Sequence, residues 1–157
     1  MPSKSRLSDF VPYLMSITSN AVSGRIAEEY RVRYGLRVPE WRVMAVLGDN
    51  GALTQRDLTA LTLMDKVAVN RACKELEERG LAAREPNRSD GRSHLLELTP
   101  EGIKVHDQVM PLVTEMERRL LERFEPAEVE GFKDMLARIR EEVRELNADG
   151  IETGIDE

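Results

Sequence analysis

The stretch Asn-Arg-Ser-Asp-Gly-Arg-Ser at 87–93 constrains this chain more than any other. It holds Asp90-Gly91, a dipeptide that turns β-hairpins, and it separates two runs, 81–85 and 92–98, that are short enough to be strands. Two short helices come before it. Thr54, with an acid three residues on at Asp57, has the spacing of a capping box with Asp in place of Glu, and opens a helix over 54–60. After the turn Leu-Thr-Leu-Met, Asp65 caps a helix over 66–79 that Gly80 ends.

Longer helices flank this middle. Leu14, Ile17, Ala21, Val22, Ile26 and Tyr30 recur at helical spacing and predict one helix over 8–34, with Ser8 as N-cap, Pro12 in its first turn and Gly35 as stop. A helix over 39–48 opens at Pro39 and closes near Gly48 and Gly51. Thr99-Pro100 opens a helix that runs to about 123, with a kink expected at Pro111. Pro126 begins a last helix to about 147, in which Val129, Phe132, Leu136, Ile139, Val143 and Leu146 follow the 3,4 spacing of a coiled-coil seam. Charged or small residues fill most positions between them, which favours packing against another long helix, including a second copy, over lying on the domain's own core. The expected fold is mainly α with a small β-hairpin wing. Its parts are an N-terminal dimerisation helix (1–34), a winged helix-turn-helix region (35–99), C-terminal dimerisation helices (100–147) and a disordered acidic tail (148–157).

Charge is distributed unevenly. Of 23 Lys and Arg and 29 Asp and Glu, residues 1–53 hold 7 and 5, residues 54–98 hold 8 and 8, and residues 99–157 hold 8 and 16. The net charge of −6 therefore sits in the last third. It does not exclude a polyanionic partner for the middle, but it turns the C-terminal third away from one. No apolar run approaches a membrane span and the N-terminus lacks a signal peptide's apolar stretch, so a cytoplasmic protein is expected. One cysteine excludes an internal disulfide.

The chemistry of the middle points to DNA. In 66–79, Val69, Ala72, Cys73 and Leu76 form one apolar stripe. The other side shows Lys66, Val67, Ala68, Asn70, Arg71 and Lys74, small or basic near the helix start, with Asn and Arg able to read base edges. Such a helix fits a major groove about 12 Å wide. Arg88 and Arg92 at the hairpin tip can reach a minor groove, and Asp90 between them is expected to pair with an arginine and hold its rotamer.

Over 8–147 the chain resembles the MarR family, the multiple-antibiotic-resistance-type regulators. The resemblance is carried by "EWRVMAVLGDNG" at 40–51, by Asp65 through Arg71, and by "LEERGLAAREPNRSDGRSHLLELTPEG" at 76–102, where the family's Asp-x-Arg wing signature falls on Asp90-Gly91-Arg92. It implies a homodimer on a pseudo-palindromic operator in double-stranded DNA, with recognition helices in major grooves and wings in flanking minor grooves. It further implies repression relieved by a small effector, often an aromatic or phenolic acid, bound between the dimerisation helices and the DNA-binding lobe. Arg92 then carries the wing contact, Asp90 supports it, and Asn70 and Arg71 read the groove. Val67 and Ala68 stand where many members have Ser or Thr, which offers thymine methyls an apolar contact or none.

Tyr13, Ser16, Asn20, Trp41 and His106 are candidates to face the effector. Cys73, on an apolar stripe, is expected to be a packing residue rather than a redox sensor. His94 and His106 lack neighbouring ligands, so no metal or other cofactor is expected. No nucleophile with a base, no phosphate-cradling glycine loop and no carboxylate pair supports an enzyme. The competing reading is a protein-interaction module that keeps the fold without binding DNA, motivated by the acidic total and by Glu75, Glu77 and Glu78.

Overall fold

A computed structural model describes residues 6–149. The expected acidic tail lies outside the described residues from 150 on, while residues 148 and 149 complete the last helix. The elements run α1 (Val11–Tyr34), α2 (Val38–Asn50), β1 (Leu53–Thr54), α3 (Gln55–Thr62), α4 (Lys66–Glu78), β2 (Ala82–Pro86), β3 (His94–Leu98), α5 (Pro100–Leu121) and α6 (Pro126–Asp149). The chain divides into two compact units, Met1–Met116 and Glu117–Glu157.

Local chemistry accounts for most boundaries. The capping box at Thr54 forms in both directions: the Asp57 N–H donates to Thr54 Oγ1 at 3.1 Å and the Thr54 N–H to Asp57 Oδ2 at 3.2 Å. Asp65 Oδ1 accepts the Ala68 N–H at 2.9 Å and caps α4. At the other end of α4, Gly80 adopts φ 69°, and the Leu81 N–H returns to the Leu76 carbonyl at 2.9 Å. That left-handed turn is open to glycine at no steric cost.

Two details differ from expectation. Ser8 does not cap α1: Leu7–Asp9 form a separate 3₁₀ turn and Phe10 precedes α1 with no side-chain cap, Pro12 standing in the first turn. With no side chain required to satisfy the first amides of an exposed helix, water can do so. The second helix runs past Gly48 to Asn50 and closes at Gly51, the later of the two stops expected. Gly48 has a tertiary role, since a Cβ there would lie 2.3 Å from His106 Nε2. A third strand, β1, was not expected; it pairs antiparallel with β3, Leu53 opposite Leu96, giving the sheet order β1-β3-β2.

The core of the first unit lies where α2, α3 and α4 meet the sheet. Leu36, Val43, Met44, Leu47, Leu58, Val69, Leu76 and Val109 are all but inaccessible to solvent. The apolar stripe read from the sequence is this buried face of α4. Trp41 sits between Tyr30 and His106, with ring centroids 5.8 Å and 5.7 Å away. Tilted aromatic pairs at such spacing stabilise beyond their buried area.

The first two-thirds of α1 contrast with this packing. Ala27 and Tyr30 are its buried residues, whereas Leu14, Ile17 and Val22 remain exposed. In the second unit, α6 buries none of its side chains, and Phe132, Ile139, Val143 and Leu146 of the 3,4 stripe are exposed.

Candidate nucleic-acid interface

The start of α4 is held rigidly by its Asp65 cap and by a fully buried inner face. Rotation of about 100° per residue then places Lys66, Val67, Asn70, Arg71 and Lys74 within an arc of roughly 140° on the opposite side. Lys66, Asn70, Arg71 and Lys74 are exposed, Val67 is 61% exposed, and Ala68 is half-buried beside the cap. The acidic end of the helix is partly neutralised, because Glu77 pairs with Arg84 of β2 at 2.9 Å.

The hairpin tip is wider than the Asp-Gly signal implies. Strand pairing ends at Pro86 opposite His94, so seven residues, 87–93, form the tip, and Gly91 is not left-handed. Two successive Asx turns shape it. Asn87 Oδ1 accepts the Ser89 N–H and Asp90 Oδ1 accepts the Arg92 N–H, both at 3.1 Å. Asn87 Nδ2 also donates to Ser93 Oγ at 3.0 Å, closing the base of the loop. Asp90 therefore does not clamp a guanidinium, as the sequence reading expected. Its carboxylate folds the backbone that carries Arg92, since a short acidic side chain reaches the amide two residues on more readily than a neighbouring arginine head. Arg88 and Arg92 are exposed, and among the described residues no ion pair or side-chain hydrogen bond engages their guanidinium groups.

Two further arginines belong to this region and were not singled out from the sequence. Between the sheet, α3 and the tip lies a cavity of about 410 Å³ whose lining includes Thr54, Arg56, Cys73, Arg84, Asp90 and Arg92. Arg56 is exposed in the first turn of α3. No local signal separates it from an ordinary surface arginine, and only pairing of β1 with β3 brings it beside the wing.

Cys73 is buried on the inner face of α4, and burial pushes its thiol up from 9.0 to about 11. A thiolate is the reactive form, so this cysteine is protected from oxidation at neutral pH. The raised value also links it to stability. Between pH 9.0 and about 11 the unfolded chain loses the proton and the folded chain keeps it. The stabilisation is thus whole below 9.0 and lost as pH rises through about 11, with a limiting slope of ~1.4 kcal/mol per pH unit for one proton. Chemical unfolding across this window should show a steeper decline for the native chain than for Cys73→Ala; equal declines would contradict it.

The five effector candidates fall into two places. Trp41 and His106 touch, and His106 Nδ1 faces Asp107 at 3.3 Å while its buried Nε2 has no hydrogen-bond partner. Tyr13, Ser16 and Asn20 are exposed on the N-terminal half of α1. At 1.5 Å per residue, Tyr13 stands ~25 Å along the helix from Tyr30, the residue that touches Trp41. Within one chain these five residues do not enclose a single cavity. Among the described residues, no group of three or more His, Cys, Asp or Glu could hold a metal ion, and no helix is long and apolar enough to cross a membrane.

A capped helix with a polar outer face, preceded by a short helix and followed by a three-stranded wing, defines a winged helix-turn-helix protein. Residues 34–93 match the MarR family model. The chain is 28% identical over 109 residues to the HTH-type transcriptional regulator YwoH of Bacillus subtilis, which covers 69% of this chain and 79% of that one. CouR from Rhodococcus jostii RHA1, solved bound to p-coumaroyl-CoA, superposes with a TM-score of 0.73 at 28% identity, over 87% of this chain and 95% of CouR. A MarR/EmrR family regulator from Acinetobacter sp. ADP1, at 24% identity, shares the fold with a TM-score of 0.83 over 89% of this chain and 99% of its own. The chain has the winged-helix fold of MarR-type transcription regulators and resembles that family over residues 34–93. That family is one of regulators and not an enzyme class.

Proposed function

We propose that this chain acts as a homodimeric, ligand-released repressor that grips a pseudo-palindromic operator, with α4 in the major groove and the 87–93 tip in the minor groove. The observation that carries the reading is the pairing of a polar, exposed α4 face with two unengaged arginines on a backbone pre-shaped by Asn87 and Asp90. Lys66 and Lys74 suit phosphates, Asn70 and Arg71 suit base edges, and Val67 and Ala68 suit a thymine methyl. Arg88 and Arg92 suit a narrow minor groove, with Arg56 adding a phosphate contact beside them.

A second copy is the occupant that best covers the exposed apolar residues of α1 and α6, which would otherwise be left in water. The net acidity of the C-terminal third keeps that part from the phosphates. An aromatic acid or its thioester is the effector class we favour, by analogy with the p-coumaroyl-CoA of CouR. Trp41 and His106 would supply its apolar floor, and Tyr13, Ser16 and Asn20 polar contacts along α1, brought in by dimer formation. We place the protein in the cytoplasm on this reading.

Light scattering should return twice the chain mass. Fluorescence anisotropy with a palindromic duplex, selected from a random library by the protein itself, should show affinity that falls steeply with salt, about 10³-fold or more between 50 and 200 mM for six or more phosphate contacts. A monomer, or salt-insensitive binding, would favour the interaction-module reading.

A further inference from the structure

We propose that Arg79 is a positioning residue that sets the angle of the recognition helix α4 against α1, and through it the operator half-site spacing that the protein accepts. The inference rests on the dimeric reading above, in which α1 takes part in the dimer contact.

Arg79 is the C-cap of α4 and lies far from the polar outer face at the helix start. Its guanidinium crosses to the end of α1, where Nη2 donates to the Tyr34 carbonyl at 2.5 Å and Nη1 to the Gly35 carbonyl at 3.3 Å. Those carbonyls belong to the terminus of α1, where the helix itself supplies no partners and where the macrodipole favours a cation. The planar fork of arginine spans both acceptors at once, which lysine cannot do. Among the described residues this is the polar link between α1 and α4. The other polar contact of α1 with a following helix is Arg42 of α2 to Ser23, at 3.2 Å.

The rest of the α1 packing leaves its direction weakly determined. Ala27 and Tyr30 are its buried residues, Ile26 and Tyr34 pack partly beside them, and Arg42 reaches Ser23, so the described contacts hold α1 along its C-terminal half. A long lever held at one end turns a small angular change at the Arg79 contact into a large displacement at the far end. Arg79 is exposed, and exposed charged contacts add little to folding stability. Its loss should therefore spare the fold of each chain and loosen the geometry between the two recognition helices.

The test compares native protein, Arg79→Met and Arg79→Lys on two probes: the selected palindromic duplex, and the same duplex with one half-site scrambled. Palindromes with spacers lengthened or shortened by one and two base pairs complete the set. For Arg79→Met we expect roughly tenfold weaker binding to the full palindrome, near the loss of one charged hydrogen bond. Half-site binding and the salt slope should be unchanged, and the spacer preference broadened. Arg79→Lys keeps the cation and should fall between; it also serves should the methionine variant fail to fold. Equal weakening on full and half-sites, or an unchanged spacer profile, would overturn the positioning role. Native protein that binds the full palindrome no better than the half-site would instead overturn the dimeric reading, and this proposal with it.

Discussion

Gly102→Ala is expected to destabilise the chain by about 3 kcal/mol, lowering the thermal midpoint by roughly 6–12 °C. The sign runs against helix propensity. Gly102 lies in the first turn of α5, where alanine would ordinarily be preferred by up to ~1 kcal/mol. Here a Cβ would sit 1.9 Å from the Leu81 carbonyl oxygen and 2.9 Å from its carbon, both backbone atoms. That carbonyl cannot retreat freely. It accepts the Thr99 N–H at 3.1 Å, while Thr99 Oγ1 donates to the Gly80 carbonyl at 2.6 Å and accepts the Gly102 N–H at 3.1 Å. One threonine thus caps α5 and clamps the exit of α4 against it. The substitution must either break that clamp or push α5 away from the exit of α4. Thermal unfolding of Gly102→Ala decides the matter: a midpoint within a degree of the native chain would show that the approach relaxes easily, contrary to this account.

Arg92→Ala should leave thermal stability unchanged and weaken DNA binding by a comparable margin across sequences, with the salt slope reduced by about one. The two halves of that result have separate causes. Its guanidinium is engaged by nothing within the described chain, so nothing in the fold is lost with it. On the proposed reading it meets phosphate and minor-groove potential, which carry little sequence information. Asn70→Ala is the contrasting variant. An amide reading a base edge should cost about 1–3 kcal/mol at one base position, with the salt slope intact. Competition binding with single-base operator variants separates the two. A drop in the midpoint for Arg92→Ala, or matching salt slopes for it and the native protein, would place the arginine in the fold rather than on DNA.

Neither prediction belongs wholly to the sequence or wholly to the structure. The caps at Thr54 and Asp65, the stop at Gly80 and the buried stripe on α4 are short-range matters. Each depends on residues three to five apart, so spacing and residue type suffice. The wing was legible as a hairpin for the same reason, and misread in its detail. Asp90-Gly91 is a signal for a tight turn, but Asn87 and Asp90 each folded the backbone locally and opened a seven-residue tip instead. The sequence also presented Asp90 as a partner for an arginine head, and the nearer backbone amide prevailed.

By itself, then, the order of residues determined the helices, the caps at Thr54 and Asp65, the polar face of α4 and the arginines of the wing, because these follow from interactions within one or two turns of chain. Tertiary structure alone decided why Gly102 and Gly48 must be glycine, that β1 brings Arg56 to the wing, and that Arg79 reaches the end of α1. Those contacts join residues that lie far apart in the sequence, and their partners are chosen by how whole elements pack, which no local pattern encodes.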